Sequence, residues 1–196
     1  SGHEDQALFY MAKTYGYMEG KLAEKISHLL DIINNYPQSE YLLASIELVA
    51  RTYFANGQYD KALSYYNKII YDYPESALLL DARIQVADIH FKQGKYVQAE
   101  EEYLSVMTEH GATNSTVCEK VAQGLKSLYS ETNELDKIEA LARGIHEGTD
   151  KAKDKDNKKE IEITLASLLV TFNEALPLLK AERDKNEPEI EEDEDE

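Results

Sequence analysis

The side chains best suited to metal binding are scattered along the chain. Its five histidines stand at positions 3, 28, 90, 110 and 146, outside any His-Glu-x-x-His motif or Cys-His cluster. Zinc sites need such groups at short, characteristic spacings, so the sequence predicts no metal site. His90 falls at an apolar position of a predicted helix, and we expect it to be a core histidine with its hydrogen bonds satisfied.

Nucleophilic and phosphate-binding chemistry find equally little support. The single cysteine, Cys118, lies on an apolar helical stripe with no evident histidine partner in the sequence. A reactive thiolate needs an electropositive, partly exposed setting, so a buried structural thiol is the better interpretation. The stretch 19–21, Glu-Gly-Lys, lacks the second glycine and the Ser or Thr of a phosphate-binding loop. We therefore predict no catalytic residue and no cofactor, and we expect that the chain is not an enzyme.

Charge excludes a further class of function. The net charge is −17, and eight of the last ten residues are acidic. Nucleic-acid binding needs a basic patch, which the sequence lacks.

Membrane insertion is not expected in this fragment either, since no apolar run is long enough. The opening residues 1–3 lack a Met, and we expect them to be the remnant of a tag on an excised fragment.

The most informative feature is an internal repeat with a period of 37 residues. The pattern around Gly57 returns around Gly94, with matching residues before and after it. Such a period is typical of a stack of similar structural units. The matched pairs are Ala50 and Ala87, Phe54 and Phe91, Tyr59 and Tyr96, Ala62 and Ala99, Tyr66 and Tyr103, and Tyr36-Pro37 and Tyr73-Pro74.

Each period predicts two helices joined by a turn. Apolar residues three and four apart lie on both sides of Gly57, and Pro74 ends the second helix. The small residues Ala50 and Ala62 allow the two helices to cross closely, with Tyr66 filling the space beside them. The predicted units, of which the fourth has a weaker small-residue signature, are 5–37, 40–74, 77–111 and 115–147.

The composition changes after the repeats. Residues 148–159 are predicted to be a charged linker, 160–183 an apolar C-terminal helix, and 184–196 a disordered acidic tail. Three arrangements of the apolar helix stay open. It stacks as the next helix of the array, it fills the groove of the array, or it pairs with another chain.

The repeats resemble the tetratricopeptide repeat family. The resemblance implies an all-α, right-handed superhelical solenoid of antiparallel helix pairs over residues 1–147, with the first helix of each pair lining a concave groove. It is carried by two sets of residues: Val49, Ala50, Tyr53, Gly57, Tyr59, Ala62, Tyr66 and Pro74, and Val86, Ala87, Gly94, Tyr96, Ala99 and Tyr103.

A narrower resemblance concerns location. The Tyr-Pro-x-Ser opening and the 37-residue period resemble repeats of bacterial envelope proteins, including the periplasmic partner of the Tol-Pal system, barrel-assembly lipoproteins and large repeat proteins of Bacteroidetes. This resemblance implies a periplasmic or cell-envelope location, with the cytoplasm as the alternative.

The resemblance implies a non-enzymatic scaffold that binds a protein or peptide segment in its groove during cell-envelope complex assembly. The alternative is a structural subunit that forms homo-oligomers through residues 160–183. The predicted groove residues mix both charges with aromatic and aliphatic groups, as suits a peptide with apolar anchors and polar edges. They are Phe9, Lys13, Tyr17, Glu47, Arg51, Asp81, Ile84, Asp88, Lys92, Lys120 and Gln123, together with Gln6, Phe54, Ala55, Phe91 and Ser127.

Overall fold

The computed structural model describes residues 3–110, 114–134 and 136–137, which form seven α-helices and no strand. The predicted all-α class is therefore confirmed. The predicted linker, apolar helix and acidic tail, together covering 148–196, lie outside the described residues. The helices are α1 (Glu4–Tyr15), α2 (Leu22–Asn35), α3 (Leu42–Ala55), α4 (Tyr59–Asp72), α5 (Leu79–Lys92), α6 (Tyr96–His110) and α7 (Ser115–Glu131).

The chain divides into two compact units, Ser1–Glu102 and Tyr103–Glu196. In the first unit each helix from α1 to α4 packs against the next one along the chain. Because short turns join them, consecutive helices run antiparallel and form stacked pairs. The second unit contains the end of α6 and the whole of α7.

The turns within the pairs depend on glycine. Gly20, Gly57 and Gly94 have φ values of 73°, 69° and 71°, a region that disfavours residues with a Cβ. The turns after α3 and α5 are short, at 56–58 and 93–95. The turn after α1 is longer and spans 16–21, so the first pair departs from the others at this point.

The Tyr-Pro-x-Ser motif forms the connection between pairs. The amide of Ser39 donates to the carbonyl of Tyr36 at 3.0 Å, and the Ser39 hydroxyl oxygen accepts from the amide of Tyr41 at 3.0 Å. The next connection repeats both bonds, from Ser76 to the Tyr73 carbonyl and from the Leu78 amide to the Ser76 hydroxyl. The motif therefore recurs because the same turn recurs.

The core of the first unit contains the small residues that the period predicted. Ala50 and Ala62 are fully buried in one cluster built from α3, α4 and α5. Tyr66 lies in the same cluster with 1% of its surface exposed, and its hydroxyl donates to Oε1 of Gln85 at 3.4 Å. Burial raises the pKa of Tyr66 well above its usual range. The buried alanines let the helices pack closely, and the Tyr66 ring fills the space beside them. Together these contacts stabilise the packing of α3, α4 and α5.

In the second unit, Gly124 of α7 lies directly against the side chain of Tyr103. A Cβ placed on Gly124 would lie 2.5 Å from Cζ of Tyr103, whose ring is fully buried. Gly124 stands 37 residues after Ala87, so it continues the small-residue series into the fourth predicted unit. The fourth unit lacks the alanine of the other units at this position because the contact with Tyr103 leaves no room even for a methyl group. Asn114 caps α7 by accepting from the amide of Val117 at 3.1 Å.

Candidate functional site

The residues predicted to face a groove are mostly accessible. On α3 and α5 they occur at positions 37 residues apart, so Glu47 is equivalent to Ile84 and Arg51 to Asp88. Phe9, Glu47 and Asp88 are half-buried. The exposed members are Lys13, Tyr17, Arg51, Asp81, Lys92, Lys120 and Gln123. We call the predicted groove residues between positions 9 and 92 the first-helix face, because all of them except Tyr17 lie on α1, α3 or α5, the first helices of their pairs.

Two of the predicted residues need correction. Ile84 is only 4% exposed, so it is a core residue of α5 and does not offer an apolar anchor at the surface. Tyr17 does not lie on a helix, because α1 ends at Tyr15 and the amide of Tyr17 bonds to the Thr14 carbonyl in a tight turn. Tyr17 is nevertheless 89% exposed, so it remains accessible to a partner.

An aromatic group forms the α1 end of the first-helix face. The ring of Phe9 packs 5.0 Å from that of Tyr41, and Tyr10 lies edge-on to Tyr41 at 6.1 Å. The ammonium of Lys13 lies 5.9 Å from the ring centres of both Phe9 and Tyr10. Phe9 also packs against the core cluster of Ala12, Leu29 and Val49, so it combines a structural role with partial accessibility.

Phe54 and Phe91 are better explained as structural residues. Phe54 is half-buried in the α3–α5 core with Tyr59 at 5.8 Å between ring centres. Phe91 is half-buried as well, and its ring centre lies 6.0 Å from that of Tyr96. Each phenylalanine thus closes the turn of its own helix pair.

Polar residues of α3 and α5 interact along the same face. Nη1 of Arg51 lies 3.3 Å from Oε1 of Glu47, and Nε2 of Gln85 donates to Oδ2 of Asp88 at 2.7 Å. The Arg51 side chain is 64% exposed, so this ion pair contributes little to stability. Its guanidinium keeps donors available for a second acceptor.

The first unit contains a pocket of about 610 Å³ beside the long α1–α2 turn. Its walls come from α1, this turn, α2, α3 and α5. They are formed by Tyr15, Gly16, Met18, Gly20, Leu22, Lys25, Leu48, Arg51, Thr52, Phe54, Ala55, Asn56 and Gln85. Arg51, Phe54 and Ala55 had been predicted from the sequence to face a groove, whereas Lys25 had not.

Lys25 is the unusual residue of this pocket. It is half-buried, and its ammonium has no ion-pair partner within the described ranges. Burial lowers the pKa of Lys25, and the nearby positive charge of Arg51 lowers it further. The sequence does contain a signal that could have identified Lys25. It stands 37 residues before Ala62, so a lysine replaces the alanine that the repeat places there.

The residues considered for chemistry remain separate in the structure. Within the part of the chain that is described, no group of three or more His, Cys, Asp or Glu residues could hold a metal ion. His90 is only half-buried, and its buried Nδ1 has no hydrogen-bond partner among the described residues, so the expectation of a core histidine with satisfied hydrogen bonds is wrong. Burial lowers the pKa of His90, with Lys95 adding to the effect.

Cys118 of α7 is a buried thiol with 3% of its surface exposed. Burial raises its pKa to about 11, with a smaller contribution from the charge of Glu119. We predict that iodoacetamide at pH 8 alkylates the folded protein more than about 100-fold more slowly than the guanidinium-unfolded chain, whose thiol has a pKa of about 8.5. Mass spectrometry of quenched samples gives both rates. Similar rates in the two states would contradict a buried thiol.

Among the described residues no helix combines the length and the apolar character needed to cross a bilayer.

Comparisons with known proteins agree with the repeat architecture. The family model described as tetratricopeptide repeat matches residues 6–39 and 48–76. These ranges contain α1 and α2 almost entirely, then most of α3 and all of α4. A search of curated proteins finds no match.

Solved structures give the same result at low sequence identity. A tetratricopeptide repeat protein from Parabacteroides merdae matches with a TM-score of 0.58 and 12% identity, over 94% of this chain and 69% of the other. The nearly identical TPR-like repeats of a putative kinesin light chain from Podosopora anserina match with a TM-score of 0.53 and 14% identity, over 95% and 100% of the two chains. Such identities show a shared fold. Residues 6–39 and 48–76 therefore match the tetratricopeptide repeat, and the chain shares the all-α fold of helix pairs of these proteins.

Proposed function

We propose that the chain is a non-enzymatic scaffold that binds a segment of a partner protein along its first-helix face. Tetratricopeptide repeats generally mediate protein–protein interactions, since their stacked first helices offer an extended surface. The observation that carries the proposal is the accessibility of equivalent positions on successive first helices. Lys13 of α1 and Arg51 of α3 each directly follow a fully buried alanine, Ala12 and Ala50, which stand 38 residues apart, and both cations are exposed.

The chemistry of this face suits a mixed peptide. The half-buried Phe9 and the exposed Tyr10 and Tyr17 provide aromatic area, which contributes strongly to binding free energy. Arg51 and Lys92 are exposed cations, whereas Glu47 and Asp81 supply negative charge. Alternating charges of this kind fix the register of a partner and exclude wrong ones more than they add affinity.

We further propose that the scaffold acts in the assembly of a cell-envelope complex. Support comes from the Tyr-Pro-x-Ser connections and the 37-residue period, and from the structural likeness to a Parabacteroides protein. The alternative is a cytoplasmic location. Immunodetection of the chain in periplasmic, membrane and cytosolic fractions of the source cells distinguishes the two.

The scaffold proposal predicts a loss of binding upon charge reversal. Arg51→Glu/Lys92→Glu reverses two exposed cations, and surface changes of this kind usually alter stability by less than about 0.5 kcal/mol. We expect the variant to lose a partner that the native chain captures from extracts of the source organism. Quantitative mass spectrometry of the captured proteins measures this loss.

A matched control reverses the same amount of charge elsewhere. Lys61→Glu/Lys68→Glu changes two lysines of α4, outside the first-helix face, and should retain the partner. An unchanged list of captured proteins for Arg51→Glu/Lys92→Glu would contradict the proposal. If the mass of the chain in solution also rises with concentration and falls when 158–196 is removed, the self-associating alternative is supported instead.

A further inference from the structure

The first helix pair departs from the repeat at the point where its two helices cross. In the second helices, Gly20 matches Gly57 and Gly94, which sets Lys25 in register with Ala62 and Ala99. Both alanines are fully buried. The first pair therefore has a lysine where the next two pairs have the alanine that allows close packing.

The longer turn 16–21 accompanies this exchange and explains the pocket. Gly16 ends α1, and a Cβ placed on Gly16 would lie 3.7 Å from Cε and Nζ of Lys25. The lysine side chain therefore occupies the space between the end of α1 and α3, where it meets the pocket wall. The volume of about 610 Å³ is within the range of pockets that bind ligands of several functional groups.

The packing of the protein does not require a lysine here. A half-buried ammonium without an ion-pair partner loses hydration and gains nothing in return from the described residues. The second cation of the pocket, Arg51, pairs with the carboxylate of Glu47 at 3.3 Å, and Glu47 itself lies outside the pocket lining. The pocket walls thus carry two positive charges, which are close enough to perturb each other, and no acidic residue is among the described residues that line it.

Charge complementarity identifies the occupant. A second carboxylate placed between Lys25 and Arg51 would offset both charges and accept charge-assisted hydrogen bonds from both side chains. Leu22, Leu48 and Phe54 provide apolar walls around this position. The walls come from five segments of chain, which is more surface than a lone terminal group would cover.

We propose that this pocket, the Lys25 pocket, receives an Asp or Glu side chain of the partner segment, with a neighbouring apolar residue of that segment against Leu48 and Phe54. The inference rests on the proposed scaffold function and defines one of its specificity-determining contacts. Lys25 lies on α2, the second helix of its pair. The Lys25 pocket shares Arg51 with the first-helix face, and the other residues that line it do not belong to that face.

The test uses fluorescent nine-residue peptides with acetylated and amidated ends. One series has a central Glu or Asp between leucines, and the matched series has Gln or Asn at the centre. We expect the acidic series to bind the full chain at least tenfold more tightly than the neutral one in fluorescence polarisation, because a charge-assisted bond is at stake. A third series, neutral at the centre but with a free C-terminal carboxylate, distinguishes a side chain from a chain end.

Variants of Lys25 show whether the lysine causes this preference. Lys25→Ala restores the residue of the other repeats, so it should keep or raise the melting temperature while abolishing the acidic preference. Lys25→Arg should retain the preference, and Lys25→Gln should lose it. Lys68→Ala, which removes a lysine paired with Asp72 on α4, is the control and should behave as the native chain does.

Each other outcome overturns the assignment. Equal binding of acidic and neutral peptides, no binding of either, or an unchanged preference in Lys25→Ala would show that the pocket does not recognise an acidic side chain. Tighter binding of the third series would assign it to a chain end. If Arg51→Glu/Lys92→Glu still loses its captured partner in these cases, the scaffold function stands and only the Lys25 pocket fails.

Discussion

Tyr66→Ala is expected to lower the free energy of unfolding by about 3–5 kcal/mol, the range for deleting a large buried aromatic side chain. Tyr66 is 1% exposed and packs in the cluster that joins α3, α4 and α5. Removing its ring leaves a cavity beside Ala50 and Ala62, which are too small to fill it. Chemical unfolding followed by far-ultraviolet circular dichroism measures the change.

Tyr66→Phe is the matched control because it removes only the hydroxyl. That group makes one long hydrogen bond, 3.4 Å to Gln85, so its loss should cost about 1 kcal/mol or less. Alanine should therefore lower the free energy of unfolding much more than phenylalanine does. Equal effects, or an alanine effect below about 1 kcal/mol, would show that Tyr66 does not hold these helices together.

Gly124→Ala is expected to destabilise the second unit by about 1–3 kcal/mol, the usual cost of overpacking a core. The new methyl group would lie 2.5 to 2.8 Å from three atoms of the Tyr103 side chain. Although those atoms are at the end of the side chain, the ring is rigid and fully buried, so it cannot move aside without repacking. Thermal unfolding and hydrogen exchange of α7 measure the effect.

The sign of the Gly124 result is diagnostic. In an exposed helix, alanine in place of glycine stabilises by about 1 kcal/mol, so a stabilised variant would contradict the close approach. Shortening the partner residue supplies the control. In a Tyr103→Leu background, Gly124→Ala should lose most of its penalty, because coupled residues are not additive.

The repeat allowed much of the fold to be predicted. The 37-residue spacing identified Ala50, Ala62 and Tyr66 as one packing unit, and the structure buries all three. Gly57 and Gly94 were predicted as turns, and both have positive φ. These features could be read from sequence because each repeat makes the same local contacts, so a residue type recurs wherever its environment recurs.

The candidate site was harder to predict because it lies where the repeat fails. Tyr17 was placed on a helix by analogy, but the longer turn 16–21 ends α1 before it. The same turn lies beside the pocket around Lys25, a residue that stands out only as an exception to the alanine that the repeat places there. Ile84 was predicted to face the groove by analogy with the family, at the position equivalent to Glu47, yet burial depends on neighbours that differ between repeats. Periodicity therefore predicts the shared core better than the individual surface.

The core residues fix the helices and leave the surface residues available for binding, which supports the proposed function. Core residues such as Tyr66 and Ala62 fix α3 against α4 and α5, so the side chains on the outside of α3 and α5 are held in defined positions. A surface ordered before binding loses less conformational entropy when a partner arrives. Arg51 and Lys92 are exposed on such ordered helices.

The central claim is that a partner binds the first-helix face, and site-specific photo-crosslinking tests it most directly. A photoreactive phenylalanine derivative would replace Lys92 in one variant and Tyr71, which is 77% exposed on α4, in another. After irradiation in extracts of the source organism, we predict a partner adduct from position 92 and none from position 71. An adduct from position 71 but not from 92, or equal adducts from both, would contradict binding at the first-helix face.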